Sequence, residues 1–207
     1  PLALAMSGSA DAPALLEQLA ASSLFTDRRE GPPAVFVFHA LFAQFLRRRF
    51  ERAQSIEQQR ALLLRAGRLL MDAGETDAGL QRLIEAQAWD EAVQAIAQSA
   101  PRYAADGRVQ ALRGHIGALP AAHAERLAYW RGWCALDSAP ALALADMAQA
   151  ERDGAATQDA AAQLAAAAGA ATALVSTGRV RDLDPWIELL TAHADAVLAA
   201  HDDDTQM

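Results

Sequence analysis

The feature that most constrains this chain is a series of helix-forming segments separated by short turns, which starts near residue 57 and continues almost to the end. Its apolar residues recur with the period of one helix face, and Gly, Pro and Asp mark the breaks. Helices are predicted at 57–73, 77–86, 90–99, 108–118, 122–136, 140–152, 157–177 and 184–200. Because helix pairs recur about every 34 residues, the pattern predicts a tetratricopeptide-like α-solenoid of antiparallel helix pairs.

Composition favours the same fold class. Apolar residues make up 53% of the chain but aromatic residues only 6%, so alanine supplies much of the apolar surface. Alanine has the highest helix propensity, and its small side chain allows helices to approach closely. We therefore expect an all-α chain with a thin core, apart from its first residues.

The beginning of the chain has a different pattern. One helix is predicted to stop at Ser7, and a second to start after Asp11, which is suited to an N-cap. Short strands are predicted at 24–26 and 35–38, on either side of a polar turn at 27–33. This order of helix, strand, turn and strand is typical of the end of a winged helix.

The stretch from His39 to Glu51 joins the two patterns. Its apolar residues share one face of a predicted helix: Leu41, Phe42, Phe45, Leu46 and Phe50. Arginines cluster in its C-terminal half, where positive charge suits the helix dipole. We assign residues 1–55 to the C-terminal part of a winged-helix domain with a short β-hairpin, and residues 56–207 to a helical-repeat domain.

Charge and cysteine content exclude several classes of protein. The net charge is −8, which does not suit direct nucleic-acid binding. The single cysteine, Cys134, cannot form an internal disulfide, as in a reducing compartment. No apolar run approaches the roughly 20 residues of a membrane span, and the first residues lack the basic region of a signal peptide. We expect a cytoplasmic protein whose chain starts inside a larger one.

Several motifs carry a resemblance to a known family. The run from His39 to Arg49 resembles the end of the winged-helix region in large ATP-dependent LuxR-type transcriptional regulators of the maltose-activator kind (MalT-like). Ala73-Gly74-Glu75, with Gly79-Leu80 and the following run to Ala92, is similar to the start of that family's helical repeats. The family usually has Pro after the histidine, where this chain has Ala40.

The resemblance implies a non-catalytic sensor or interaction module of a transcriptional regulator. The family places an ATPase module before this region and a DNA-binding helix-turn-helix after it. This chain lacks a phosphate-binding loop and has no Lys with which to build one. We therefore expect no cofactor here, with ATP used only by the absent module. The expected partners are an inducer or a protein, together with the parent's ATPase and DNA-binding modules. An open end of the helical array would favour self-association.

Two other functions stay open. One is a purely structural helical-repeat scaffold, and the other is a small α-helical enzyme. The enzyme would need titratable side chains gathered in a pocket, and the periodicity of this sequence does not supply a catalytic constellation.

Candidate binding residues lie near the middle of the repeats. Tyr129, Trp130 and Trp133 occupy helical positions that cannot all face one core. Packing between repeat helices accounts for at least two of them, and the remaining one either packs as well or points into a groove and contacts a ligand or a peptide. Arginine side chains such as that of Arg126 are expected to face them.

The residues expected at a domain interface are His39, Arg47, Arg48 and Arg49. His39 is either a pH switch or a residue that caps or packs the strand–helix junction, which we favour. The three arginines either bind phosphate or nucleic acid, or form a solvated face that contacts the ATPase module. The acidic net charge favours the second.

No catalytic or metal-binding residue is predicted. Cys134 would need a base such as His123 to act as a nucleophile, so a small core residue is favoured. His115, His123 and His193 lack metal-ligand spacing. The run 201–204 is either a weak cation ligand or a disordered acidic tail, which is favoured.

Overall fold

The computed structural model describes residues 2–22, 24–31 and 34–204, with side chains described up to residue 194. The predicted acidic tail therefore lies outside the described side chains. The chain is mostly helical with a short antiparallel sheet near its beginning, which confirms the all-α fold after a partial winged helix. Contacts divide it into two compact units, Pro1–Ala88 and Trp89–Met207. The sequence-based domain boundary after residue 55 stays a prediction.

The first unit begins with two helices, a β-hairpin and three more helices. They are α1 (Leu2–Ser7), α2 (Ala12–Ala21), β1 (Thr26–Arg29), β2 (Val35–Phe38), α3 (Ala40–Ala53), α4 (Ile56–Asp72) and α5 (Thr76–Glu85). Asp11 precedes α2 as predicted, but its side chain makes no capping hydrogen bond.

The hairpin differs from its prediction in one strand. The first strand begins at Thr26, which lies opposite Phe38, and not at 24–26 as predicted. Residues 27–29, which were expected to form a turn, are extended. The cause is Phe25, whose φ of 53° turns the backbone out of the extended region just before the pairing starts. Pairing with β2 then holds polar residues in the strand despite their low propensity.

Only part of the apolar face of α3 is covered by neighbouring side chains. Phe42 packs edge-on against Phe38, with ring centroids 5.6 Å apart. Leu41 and Phe45 are 70% and 55% exposed. The apolar face expected from periodicity is therefore present, but among the described residues much of it lacks a covering element.

Helices α4 and α5 form a close pair. Ser55 starts α4 with a capping box, because its hydroxyl accepts from the Gln58 N–H at 3.2 Å and the Gln58 side chain accepts from the Ser55 N–H at 2.9 Å. The two helices touch through Gly79, where an added Cβ would lie 2.7 Å from Met71 Sδ. Leu80 and its neighbours on α5 are buried in this contact.

The second unit continues as helices joined by short connections. They are α6 (Trp89–Ala105), α7 (Val109–Gly117), α8 (Ala121–Ala124), a 3-10 turn (Glu125–Leu127), α9 (Ala128–Ala135), α10 (Pro140–Thr157), α11 (Ala160–Ser176), a second 3-10 turn (Val180–Asp182) and α12 (Asp184–Asp204). Helices adjacent in the chain pack together, from α9 on α10 to α11 on α12, as expected for helical repeats.

The core of the second unit is built on small residues around a few large ones. Met147 is fully buried and lies between Gly132 and Gly169. A Cβ at these glycines would lie 3.2 Å and 2.6 Å from Met147 Cε. Helices α9 and α11 therefore approach α10 closely, as the thin, alanine-rich core predicted.

The largest differences from the predicted helices of this unit occur at three places. Helix α6 passes through Pro101 and continues to Ala105, because Tyr103 in its last turn is buried and this burial stabilises the helix beyond the proline. Helix α10 passes through Gly154, whose lack of a Cβ accommodates Gln163 of α11. The helix predicted at 122–136 is interrupted by the 3-10 turn before α9.

Helices α6 and α10 end instead at residues with a left-handed backbone conformation. Gly107, with a φ of 68°, follows α6, and Gln158, with a φ of 55°, follows α10. Both are left-handed positions that end a helix. Asp159 then caps α11 by accepting from the Ala162 N–H at 2.9 Å.

Within the described residues, no helix combines the length and the apolar character that a membrane crossing requires.

Candidate functional site

The second unit contains a hollow of about 300 Å³ between α7, α8 and α9, which we call the apolar hollow. Its walls are aliphatic side chains, a thiol and two guanidinium groups, namely Ile116, Leu119, Ala124, Cys134, Arg113 and Arg131. The volume lies at the lower end of the range of small-molecule sites, and the lining has their usual character of apolar walls with a few polar groups.

Arg113 of α7 lies in the wall of the apolar hollow and donates only to neutral acceptors. Its Nη2 donates to the main-chain oxygen of Cys134 and, at 3.0 Å, to Ser138 Oγ. Among the residues whose side chains are described, no carboxylate pairs with this guanidinium. The hollow therefore has a positive charge that the surrounding protein does not neutralise by direct pairing.

Cys134 of α9 is a buried wall residue. Its Sγ lies 3.9 Å from the main-chain oxygen of Val109, to which the thiol donates. Burial raises the pKa of the Cys134 thiol, and the charge of Arg113 opposes this in part. A thiol that keeps its proton is a weak nucleophile, so the environment suits the small core residue that was predicted.

A second concave surface, which we call the polar groove, is lined by α8, the first 3-10 turn, α9 and α10, and has a volume of about 760 Å³. Its walls include the neutral Gln149 and charged side chains of both signs, namely Glu125, Arg126, Arg131, Asp146, Arg152 and Asp153. Gln149 links two of them, since it accepts from Arg152 Nη2 at 2.7 Å and donates to Asp153 Oδ1 at 2.8 Å. This surface suits a partner with both donors and acceptors.

Arg131 lies in the wall of both the apolar hollow and the polar groove. Its Nε donates to Asp146 Oδ2 at 2.9 Å, and its Nη2 donates to the other carboxylate oxygen. The hydrogen bond to Asp146 is the main cause that raises the pKa of Arg131. This two-point contact fixes the direction of the guanidinium between the two concave surfaces.

The three predicted aromatic residues form a contiguous row on α9. The Trp130 ring lies 5.0 Å from that of Tyr129 and 6.1 Å from that of Trp133, with interplanar angles of 76° and 69°. All three are half-buried, and burial raises the pKa of Tyr129. The structure therefore brings these rings together, while other residues form the walls of the apolar hollow and the polar groove.

Arg126 lines the polar groove and pairs with Asp90 at the start of α6. Both side chains of this ion pair are largely exposed. The binding role of Arg126 and of the aromatic row stays a prediction.

The predicted interface arginines lie on the exposed surface of α3 in the first unit. Arg48 and Arg49 line an open hollow of about 460 Å³ together with Phe45, Arg52 and Ala53. Arg47 is also exposed. Arginines beside an exposed phenylalanine are suited to a contact with an acidic protein surface, and this interface role stays a prediction.

His39 lies at the junction of β2 and α3. Its main-chain N–H donates to the Phe25 oxygen at 2.7 Å, and its ring lies 6.3 Å from the ring of Phe25. Its side chain makes no capping hydrogen bond. His39 therefore packs at the junction, and its part in a domain interface stays a prediction.

Two histidines of the second unit, His115 and His123, contact aromatic rings. The Nε2 of His115 lies 3.3 Å from the Tyr103 hydroxyl, and the ring of His123 lies 6.1 Å from that of Trp89. His123 Nδ1 is buried without a hydrogen-bond partner. Across the described side chains, no group of three or more His, Cys, Asp or Glu is placed to hold a metal ion.

Sequence reasoning named Arg126 and Cys134 but missed Arg113, Arg131 and Asp146, whose contacts shape the two concave surfaces. Arg113 reaches acceptors 21 and 25 positions away, and Arg131 reaches one 15 positions away. Contacts over such separations leave no local periodicity or motif. The pairing of Arg131 with Asp146 depends on which faces of α9 and α10 meet, and spacing along one helix does not reveal this.

Residues 1–58 match a family model described as the MalT winged helix domain. The matched segment covers α1 to α3, the hairpin and the start of α4. No curated protein and no solved structure matched the chain. The match covers 58 of the 207 residues and supports a part in transcription regulation, as in a MalT-like regulator.

Proposed function

We propose that this chain is the sensor and coupling part of a MalT-like transcriptional regulator, proceeding from the likeness of residues 1–58 to a MalT winged helix domain. In this proposal the second unit binds an inducer or a partner protein. The first unit conveys the bound state to an ATPase module of the same cytoplasmic regulator. The role is non-catalytic and uses no cofactor, membrane or nucleic acid within these residues.

The observation that carries the proposal is the pair of concave surfaces that share Arg131. A compound in the apolar hollow would contact a side chain that also lines the polar groove. Because Asp146 of α10 accepts two hydrogen bonds from that side chain, a shift of the guanidinium would also displace Asp146. A shared, fixed residue between two concave surfaces is suited to coupling one binding event to another.

The exposed face of α3 supports the coupling half of the proposal. Arg48 and Arg49 lie beside the exposed ring of Phe45, which leaves positive charge and apolar surface together on one helix. We propose that this face contacts the ATPase module.

The test is the thermal unfolding of the whole chain in the presence of sugars, nucleotides, amino acids and carboxylates. A compound that binds the folded state raises the unfolding midpoint, and at a hundred times its Kd it stabilises by about 2.7 kcal/mol. We expect at least one class of compound to raise the midpoint. A purely structural scaffold predicts no shift with any of them.

Separate Trp130→Ala and Trp133→Ala variants test the aromatic row. We expect one variant to lose stability and the other to lose the ligand-induced shift while keeping its stability. If both variants lose stability alike and neither changes the shift, the aromatic row is a packing feature and not a binding surface.

A further inference from the structure

We propose that the apolar hollow binds a small monocarboxylate with an apolar body, whose carboxylate contacts the guanidinium of Arg113. The assignment of this compound as the inducer rests on the proposed function. The binding site itself follows from the shape, the lining and the charge of the hollow.

The lining favours an apolar body. Ile116 and Leu119 are buried, and Ala121 and Ala124 add small apolar walls beside Gly117. A hydrocarbon that enters this space leaves water for aliphatic contacts, which stabilise it in proportion to the apolar area covered. A volume of about 300 Å³ suits a small molecule and not a folded partner.

The charge favours one anionic group. Both hydrogen bonds of Arg113 leave from Nη2, and in the described part of the chain Nε and Nη1 have no acceptor. A guanidinium with free donors beside an apolar space is matched by a carboxylate, whose planar pair of oxygens accepts two parallel N–H groups.

The second arginine limits the ligand to a single carboxylate. Arg131 is already paired with Asp146 through both carboxylate oxygens, so its charge is neutralised. A second anionic group on the ligand would therefore find no unpaired cation in the described lining of the hollow, whose only two charged residues are Arg113 and Arg131. The geometry therefore selects a monocarboxylate over a dicarboxylate.

Isothermal titration of the whole chain with octanoate, 1-octanol and octyl phosphate tests this proposal. The three compounds share one hydrocarbon chain and differ in the polar group. We expect octanoate to bind at least about tenfold more tightly than 1-octanol, because a hydrogen bond to a charged group contributes at least that factor. Octanol that binds as tightly as octanoate, or octyl phosphate that binds more tightly, would overturn the carboxylate assignment.

Arg113→Gln tests the role of the guanidinium. We expect octanoate to lose about tenfold in affinity, while the affinity for 1-octanol stays within about twofold. The alcohol serves as the internal control, because a variant with a damaged hollow would lose both compounds. Equal affinity of the wild type and Arg113→Gln for octanoate would contradict the proposal, and Arg113→Lys, which keeps the charge, should retain part of the preference.

Two glycines of α7 provide a matched control for the position of the ligand. Gly117 lines the hollow and Gly114 is absent from its lining, and a Cβ at either would meet no atom within 4 Å. We expect Gly117→Leu to fill the hollow and abolish octanoate binding, and Gly114→Leu to bind as the wild type does. An equal effect of the two substitutions would place the ligand elsewhere.

Failure of this inference is distinguishable from failure of the proposed function. If octanoate does not bind but another compound raises the unfolding midpoint, the ligand class is wrong and the sensing role stands. If no compound raises the midpoint and octanoate does not bind, both the ligand class and the sensing of a small inducer are wrong.

Discussion

Two arginine–aspartate pairs of the second unit differ in how far water reaches their carboxylates. Asp146, paired with Arg131, is 14% exposed, whereas Asp90, paired with Arg126, is 82% exposed. An exposed ion pair contributes little, because water and salt screen it and its side chains lose entropy on pairing. Removing the charge of Asp146 is more costly, because Asp146 is shielded from water and Arg131, which is 37% exposed, regains only part of its hydrogen bonding from water.

The same substitution should therefore lower the free energy of unfolding by different amounts in the two pairs. Asp146→Asn should lower the free energy of unfolding by about 1–3 kcal/mol, and Asp90→Asn by less than about 0.5 kcal/mol. Urea unfolding of both variants at one pH measures the difference. Equal losses would mean that Arg131 is not fixed by Asp146 in the way the structure indicates.

The raised pKa of Cys134 implies that the stability of the folded chain depends on pH. Burial raises the pKa of its thiol above the ordinary value of 9.0, so the folded state keeps a proton that the unfolded state releases. The stability that this thiol contributes is present below the ordinary pKa, and it is lost as pH rises through that value towards the folded pKa.

Urea midpoints of the wild type and Cys134→Ala at about pH 8 and about pH 10 measure this contribution. The wild type should lose more stability over this interval than the variant. Tyr129, whose pKa is also raised by burial, adds a loss at higher pH that both proteins share. Identical pH profiles would show that the thiol is not buried in solution.

At the scale of elements, glycines decide how closely the helices pack. Gly79 of α5 faces Met71 of α4, and an added Cβ would lie 3.0 Å from the Met71 main-chain nitrogen, which cannot move aside as a side chain does. Gly114 of α7 has no atom within 4 Å of such a Cβ. The same methyl group therefore has opposite consequences at the two positions.

Gly79→Ala should destabilise the chain by about 1–3 kcal/mol through overpacking. Gly114→Ala should stabilise it by about 0.5–1 kcal/mol, because alanine loses less backbone entropy in a helix. Thermal unfolding of the two variants gives the sign directly. A stabilising Gly79→Ala would show that α4 and α5 are not in close contact.

Periodicity and composition predicted the existence of most elements but not all their limits. The hairpin strand β2 follows from its run of Val and Phe, and the helices follow from their apolar period. Pro101 and Gly154 carry the local chemistry of a break, yet burial of Tyr103 and close contact with Gln163 continue the two helices. Such contacts lie in another element and cannot be inferred from the local sequence.

At the scale of the whole molecule, the two units have surfaces of different chemical character. The first unit exposes arginines beside Phe45 on α3, and the second contains the apolar hollow and the polar groove. The aromatic row predicted from the sequence lies on the helix that carries Arg131, and its binding role stays a prediction. The sequence did not predict the hollow itself, since Arg113, Leu119 and Ala124 come from α7, the connection that follows it and α8.

The central claim is that the second unit senses a ligand, and amide hydrogen exchange of the whole chain tests it most directly. The chain is compared without ligand and with the compound that raises the unfolding midpoint most. Ligand binding slows the local opening of the segments that it contacts. The account predicts slower exchange in residues 109–135 and unchanged exchange in residues 2–22. Slower exchange confined to residues 1–88, or none in either unit, would contradict it.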